Sequence, residues 1–223
     1  MTVKDIAKIT FNLVVIYLAG GLLLAYVYSW ASPKIFINNK IAKEKALKEL
    51  VPEADTIAKL GDWEPHEKHA EYFAARKCGE LKVTTIEDEK TGDVKEEKEC
   101  IDPEDIAYIV QTFGKGYSSY IDILFSVDKD FKVKKMNVLH HAETPGLGDE
   151  IELDYFKDQF AGKDAEHLKV LKTETTEYIQ AITGATISTR AVSEDGIKKG
   201  LEFLVEALEG GHTGEHKEGV KHE

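Results

Sequence analysis

An uncharged stretch near the N-terminus, residues 9–33, limits what this chain can fold into more than any other feature. It reads ITFNLVVIYLAGGLLLAYVYSWASP, which is long enough to supply the roughly 20 apolar residues that a helix needs to cross a bilayer. Tyr26, Tyr28 and Trp30 lie near its end, where aromatic rings favour the membrane interface. A cleaved signal peptide is the alternative, but its apolar core is shorter, about 7–15 residues. We therefore expect one retained membrane helix.

The charges around this stretch do not settle its orientation. Lys4 and Lys8 precede it, and five lysines follow it at positions 34, 40, 43, 45 and 48. Counting lysines places the rest of the chain in the cytoplasm, because positive charge is retained on that side. Large domains, however, cross the membrane largely regardless of their charge. Both orientations therefore stay open on the charges alone.

The sequence predicts four segments. The N-terminal tail and the membrane helix occupy residues 1–33, and a membrane-proximal amphipathic helix with a linker occupies residues 34–61. A folded domain spans residues 62–209, and a polar, disordered tail spans residues 210–223. With 41 acidic against 29 basic residues, and no basic stripe with interleaved aromatics, the chain lacks the pattern of a nucleic-acid-binding protein.

Residues 78–100 form a charged insertion in the predicted domain. The segment CGELKVTTIEDEKTGDVKEEKEC contains a Thr-Gly turn signal and is bounded by Cys78 and Cys100, the two cysteines of the chain. A hairpin with polar strands is the simplest structure, and it places the cysteines at its base, close enough for a disulfide. Two unpaired thiols or two metal ligands are the alternatives. We expect no metal, because there is no CxxC spacing and only His66 and His69 lie nearby.

The rest of the domain mixes strands and helices. Three β patterns separated by short turns occupy residues 106–140 and indicate an antiparallel meander. An amphipathic helix is expected over residues 151–161 and a short strand near residues 167–171. In the final helix, apolar residues recur at helical spacing from Ile197 to Leu208. The segment FGKGYSSY predicts a turn, because it lacks the GxxxxGK[ST] pattern of a phosphate-binding loop.

Two small-residue motifs follow the meander. ETPGLG, residues 143–148, predicts a rigid loop with one apolar side chain, Leu147, at its tip. TGAT, residues 183–186, precedes the final helix, where free backbone N–H groups and the helix dipole favour a phosphate. Taken singly, the first motif predicts a turn and the second a helix cap. Their joint occurrence, in this order and behind a membrane helix, favours a functional site.

These motifs carry a resemblance to a known family. In both of them, in the strand GYSSYIDILFSVD, in the membrane helix and in the terminal helix, the chain resembles the G subunit of Rnf electron-transport complexes. The C subunit of sodium-pumping NADH:quinone oxidoreductase shares both motifs and is the alternative, although the chain length and the short membrane-proximal region favour Rnf. The resemblance implies an α+β fold, with a single transmembrane helix followed by an antiparallel-sheet FMN-binding domain with flanking helices. It also implies that this domain lies on the extracytoplasmic face of the cell membrane, where a disulfide is favoured.

The resemblance also implies a covalent cofactor. In this family the last threonine of TGAT carries FMN through a phosphoester bond, and that residue is Thr186 here. The other residues implied at the flavin are Thr183, Gly184, Ala185, Ser188, Glu143, Thr144, Pro145, Gly146, Leu147 and Gly148. No catalytic side chain and no metal ligand is expected, so the chain acts as an electron carrier within an oxidoreductase complex. The implied partners are the other membrane and redox subunits of an Rnf complex and a flavin transferase that attaches the FMN.

One position departs from the family pattern. The family usually has Asp four residues before the glycine of TGAT, whereas this chain has Gln180. That Asp belongs to the pattern read by the flavin transferase, so a scaffolding subunit with a vestigial flavin site is the second hypothesis. An NAD-binding fingerprint and an Fe–S cysteine set are both missing, which favours a subunit over a complete enzyme. A hydrolase is not supported, because the G-x-S-x-G elbow is missing and only Glu143 is present to orient His140 or His141.

Overall fold

The structure, a computed structural model, describes residues 3–87 and 94–209. The Thr-Gly turn signal of the charged insertion and the predicted polar tail both lie outside the described residues. The chain divides into two compact units, of which the first ends at Lys45 and the second begins at Ala46.

The uncharged stretch lies within one long helix, α1 (Val3–Leu50). Among the described residues it is the one helix long and apolar enough to cross a membrane, and no part of its most apolar window is buried. The sequence predicted a separate amphipathic helix after residue 33, but α1 continues through Pro33 to Leu50. Strong helix formers dominate the second half of α1, and the next residue that stops a helix is Pro52.

A five-stranded antiparallel sheet follows, with its strands in chain order. The strands are β1 (Thr56–Trp63), β2 (Ala70–Glu87), β3 (Val94–Lys115), β4 (Tyr120–Val127) and β5 (Val133–His140). The meander predicted from the sequence corresponds to the end of β3 together with β4 and β5. β1 crosses the domain boundary that we expected between residues 61 and 62. It belongs to the sheet through its backbone pairing with β2. The sequence did not show this strand, because buried and exposed side chains alternate only weakly along it.

The hairpin of β2 and β3 extends beyond the rest of the sheet. β1 pairs with β2 as far as Arg76, and β4 pairs with β3 from Tyr108 onward. The pairing between β2 and β3 continues past both points, so the outer part of the hairpin has two strands. A disulfide joins Cys78 and Cys100 near the start of this two-stranded part. The predicted hairpin is therefore the outer part of two much longer strands.

Side-chain alternation along the strands places an apolar core on each face of the sheet. On one face Ile109 and Leu124 pack with Leu47 and Leu50 at the end of α1. The opposite face packs against the C-terminal segments of the chain. Its largest buried side chains include Ile121, Ile123, Phe125, Phe156, Phe160, Ile197 and Leu201.

Short helical turns connect the sheet to the C-terminal part. A 3-10 helix (Gly148–Glu152), the short helix α2 (Asp154–Lys157) and a second 3-10 helix (Asp158–Phe160) replace the single helix predicted over residues 151–161. The prediction was wrong because Leu153 adopts an extended conformation, with φ −78° and ψ 146°, and interrupts the helix. Two short strands then pair in parallel, β6 (Val170–Leu171) near the expected position and β7 (Ile179–Gln180), which is too short to show a period.

The terminal helix has three parts, α3 (Thr186–Arg190), a π-helical segment (Ala191–Lys198) and α4 (Lys199–Glu209). The predicted apolar stripe faces the sheet, but the sequence did not predict the π-helical segment. This segment lies directly on β3, because a Cβ atom at Gly114 would be only 1.8 Å from the carbonyl oxygen of Ala191. The missing side chain at Gly114 thus sets how closely the terminal helix approaches the sheet.

Candidate functional site

The two motifs found in the sequence line the same cavity. The ETPGLG loop follows β5, the TGAT turn leads into α3, and the fold brings these distant segments together. The cavity has a volume of about 590 Å³, which lies in the usual range for cofactor sites. Its walls are formed by Tyr117, Glu143, Thr144, Leu147, Gly148, Gly184, Ala185, Thr186, Ile187 and Ser188.

Glu143 connects three segments around the cavity. Its carboxylate accepts hydrogen bonds from the backbone N–H groups of Tyr117 (3.2 Å) and Ser118 (3.1 Å), in the turn between β3 and β4. It also accepts a short hydrogen bond from the hydroxyl of Ser188 in α3. The side chain is almost fully buried, with 5% of its surface exposed. Glu143 therefore belongs to the wall of the cavity and holds its parts together.

Two opposing effects act on the pKa of the Glu143 carboxyl group. Burial raises the pKa, whereas hydrogen bonds from the Ser188 hydroxyl and from the backbone of Ser118, Tyr117 and Ser119 lower it, and the net shift is downward. A carboxylate that accepts several hydrogen bonds is stabilised in its charged form. The wall of the cavity therefore carries a fixed negative charge at neutral pH.

Two glycines allow the Glu143 carboxylate to sit close to the backbone. A Cβ atom at Gly116 would lie 2.5 Å from Oε1 of Glu143. A Cβ atom at Gly148 would lie 2.8 Å from both Cβ of Glu143 and Oγ of Ser188. Neither position has room for a side chain, so both glycines are needed for this hydrogen-bonded arrangement.

Hydrogen bonds hold the TGAT turn in place at the N-terminus of α3. Gly184 has a positive φ of +82°, which favours glycine, and a Cβ atom there would lie 3.1 Å from Cδ2 of Leu147. Inside the turn, the hydroxyl of Thr189 accepts the N–H of Ile182 (3.1 Å) and donates to the carbonyl oxygen of Ala185 (3.0 Å). The turn is therefore supported from inside the protein, on the side away from the cavity.

Thr186 is the first residue of α3, and its side chain is half-buried at the cavity. The N–H of Thr189 bonds to the carbonyl oxygen of Ala185 (3.0 Å), so the N–H groups of the three residues before it point out of the helix end. The residue before α3 is Ala185, which has no side-chain capping bond. The helix cap predicted from TGAT taken singly was therefore wrong, because the residue in the capping position is Ala185.

The structure divides the predicted site residues into two groups. Eight of them line the cavity, and Thr183, Pro145 and Gly146 are not among its lining residues. Thr183 instead lines a neighbouring cleft of about 330 Å³, together with Gln180, Gln159, Tyr155 and other residues. There the backbone N–H of Gln180 donates to the side-chain oxygen of Gln159 (2.8 Å). The departure from the family pattern at Gln180 thus lies outside the main cavity.

Sequence analysis missed two apolar residues at the cavity. Tyr117 is 73% exposed, and Ile187 is 54% exposed, yet both line the cavity with Leu147, which is 44% exposed. The sequence predicts a turn over FGKGYSSY and a strand over GYSSYIDILFSVD, and neither prediction assigns Tyr117 to a site. A large aromatic residue in a glycine-rich turn, and an isoleucine directly after TGAT, were the available signals. The rim of the cavity is therefore apolar, although its inner wall is polar and charged.

One further group of possible metal ligands lies outside the cavity. Asp62, His69 and Glu71 have ligand atoms within 4.8 Å of one another. Lys59 Nζ is 2.6 Å from the carboxylate of Asp62 and 2.7 Å from that of Glu71. Because an ammonium group already pairs with both carboxylates, this group forms an exposed ion-pair network.

The cavity is suited to a particular kind of ligand. An apolar rim accommodates a flat ring system, and outward-pointing N–H groups at the start of α3 accommodate a phosphate. Thr186, the first residue of α3, lines the same cavity and carries a hydroxyl group. The residues present therefore fit a cofactor that combines an aromatic ring system with a phosphate.

Comparison with known proteins identifies a family and several relatives. Residues 116–202 match the FMN-binding domain family. The chain is 32% identical, over 89% of its length and 91% of the relative, to the G subunit of the proton-translocating ferredoxin:NAD(+) oxidoreductase complex of Clostridium ljungdahlii. It is 28% identical to the G subunit of an ion-translocating oxidoreductase complex of Methanosarcina acetivorans, over 93% of this chain and 98% of the relative. The C subunit of the Na(+)-translocating NADH-quinone reductase of Parabacteroides distasonis superposes with a TM-score of 0.44 at 24% identity, over 64% of each chain.

Proposed function

This chain belongs to the family of G subunits of ion-translocating ferredoxin:NAD(+) oxidoreductase (Rnf) complexes, and we propose that it carries electrons within such a complex. We propose further that its cofactor is FMN, attached to Thr186 through a phosphoester bond. The observation that carries this proposal is the meeting of the ETPGLG loop and the TGAT turn in one cavity, with Thr186 at the open end of α3.

The residues of the cavity have distinct roles in this proposal. The N–H groups at the start of α3 and the helix dipole stabilise a negatively charged phosphodiester at Thr186. Gly184, which has no side chain, leaves the backbone accessible beside it. Leu147, Tyr117 and Ile187 supply apolar surface for the ring system. When bound, FMN supplies the electron transfer, while the protein binds and orients it and sets its potential.

The wider setting of the site follows from the same reasoning. We propose that α1 anchors the chain in the cell membrane as a single span and that the FMN-binding domain, residues 62–209, lies on the extracytoplasmic face. The Cys78–Cys100 disulfide supports this orientation, because disulfides persist in oxidising compartments. The proposed partners are the other membrane and redox subunits of the complex and a flavin transferase that modifies Thr186.

The covalent attachment is tested by the mass of the intact chain. We expect the full chain, purified in detergent, to exceed its sequence mass by one FMN less one water, and the denatured band to fluoresce. Thr186→Ala should remove both signals without unfolding the domain, because the side chain lies at an accessible helix start. Thr173→Ala is the matched control, since Thr173 is exposed, lies outside both motifs and does not line the cavity.

The outcomes separate the two candidate functions. Flavin fluorescence in the denatured Thr186→Ala protein would show that the attachment site is elsewhere. A wild-type chain that stays unmodified when expressed with the flavin transferase of its own organism would favour the scaffolding role. Gln180, in place of the usual Asp, is the observation that favours this second function.

A further inference from the structure

The wall of the cavity carries a negative charge at Glu143, to which the proposed function assigns no role. Among the described residues that line the cavity, Glu143 is the one with a carboxyl group, and none is Lys, Arg or His. The carboxylate is buried and held in its charged form by hydrogen bonds from two other segments. A fixed negative charge therefore lies in the wall of the cavity that we propose for the cofactor.

The same carboxylate determines where the cavity walls lie. Glu143 directly precedes the loop that carries Leu147, it accepts N–H groups from the turn that carries Tyr117, and it accepts the hydroxyl of Ser188 in α3. Three of the segments that form the cavity thus meet at one side chain. A residue in this position acts through its neighbours and needs no contact with the ligand.

We propose that Glu143 is a positioning residue that holds the cavity walls together and whose negative charge lowers the reduction potential of the flavin. This inference rests on the proposed function. With FMN bound, uptake of two electrons from the donor and one proton from water would leave the ring system with one negative charge. A fixed negative charge nearby disfavours this product, because like charges repel through the low-dielectric wall.

The expected size of the effect follows from Coulomb's law. Unit charges roughly 10 Å apart, in a medium with an effective dielectric constant of about 20, change an equilibrium by roughly tenfold. For a two-electron couple, a tenfold change in the equilibrium constant corresponds to about 30 mV. Replacing Glu143 by a neutral residue should therefore raise the midpoint potential by about this amount.

Two variants separate the charge of Glu143 from its role in holding the structure. Glu143→Gln removes the charge and keeps the size of the side chain, so the potential of the flavin should rise. Ser188→Ala keeps the charge and removes one hydrogen bond that disperses it, so the potential should fall slightly. If Glu143 acted only by holding the walls, both variants would loosen the same contact between Glu143 and Ser188. The midpoint potential should then shift with the same sign in both. Glu174→Gln, the same chemical change at an exposed residue outside the cavity, is the control.

The measurement is a dithionite titration of the flavin-loaded full chain in detergent, with mediator dyes. A rise in Glu143→Gln, a slight fall in Ser188→Ala and no shift in the control would support the inference. Equal potentials in the wild type and Glu143→Gln, or shifts of the same sign in both cavity variants, would overturn it. If Glu143→Gln does not fold, a fall of the midpoint potential in Ser188→Ala would support the inference, and a rise or no change would overturn it.

The flavin-free chain tests the positioning role separately, so failure of the proposed function can be distinguished from failure of this inference. The pKa of Glu143 is lowered in the folded protein, so its contribution to stability is complete above the ordinary glutamate value of 4.5 and is lost as the pH falls below it. We expect the Tm of the wild type to fall more steeply with acidification than that of Glu143→Gln. Parallel pH profiles would refute the positioning role, even if no flavin were present.

Discussion

Gly114→Ala should separate the terminal helix from the sheet. The added methyl group would lie 1.8 Å from the carbonyl oxygen of Ala191 and 2.5 Å from its carbonyl carbon. Both atoms belong to the backbone, so no side-chain rotation can relieve the overlap. The π-helical segment would have to move away from β3, and the start of α3, which bears Thr186, would move with it.

Overpacking of a well-packed core costs about 1–3 kcal/mol. Because the overlap at Gly114 is with backbone, we expect the upper end of this range, about 3 kcal/mol. Each kcal/mol shifts the Tm of a protein of this size by about 2–4 °C, so the Tm should fall by about 10 °C. The fluorescence of Trp63 reports the separation directly, because its ring stacks on Phe203 of α4 at a centroid distance of 4.3 Å.

The assay compares the thermal unfolding of the full chain in detergent with that of a control variant. Trp30→Phe serves as the background in both, since the chain has two tryptophans and Trp63 must be the single reporter. Gly79→Ala is the matched control, because a Cβ atom at Gly79 meets its nearest neighbour at an ordinary 3.6 Å. A Gly114→Ala protein with the Tm and Trp63 fluorescence of the Gly79→Ala protein would refute the argument that Gly114 sets the helix position.

Two further predictions concern the cavity and the residue that departs from the family pattern. Leu147→Asp should retain covalent flavin but lower its midpoint potential by about 30 mV, because it adds a negative charge and removes an apolar contact; an unchanged potential and flavin spectrum would remove Leu147 from the site. Gln180→Asp should increase the rate of flavin attachment by a flavin transferase from another organism, whereas the organism's own enzyme should modify the wild type fully; equal rates for both chains with both enzymes would show that residue 180 has no part in recognition.

The parts of the site that could be predicted are those with a local signature. Thr186 and Leu147 belong to short motifs whose small residues and turn chemistry are visible without any knowledge of the fold. Tyr117 and Ile187 have weaker local signals, a glycine-rich turn and the position after TGAT, and neither signal by itself indicates a cavity residue. They become site residues only when the turn after β3 and the start of α3 meet at the same cavity.

The hydrogen-bond partners of Glu143 are a second feature that the sequence could not predict. The resemblance implied that Glu143 lies at the flavin, because it begins the ETPGLG motif. The structure places it in the wall of the cavity, where its hydrogen bonds come from residues far away in the chain. The direction of its pKa shift depends on these partners, and so it could not have been inferred from the residue type.

The amino-acid sequence was sufficient to predict the long apolar helix near the N-terminus, the α+β composition and the two motifs, because each depends on the order of side chains within a short segment. The register of the long β2–β3 hairpin, the interruption of the helix at Leu153 and the close approach at Gly114 required the folded chain. Each of these depends on distances between segments that are far apart in the sequence. Such distances are set by packing of the whole core, and no local pattern of residues encodes them.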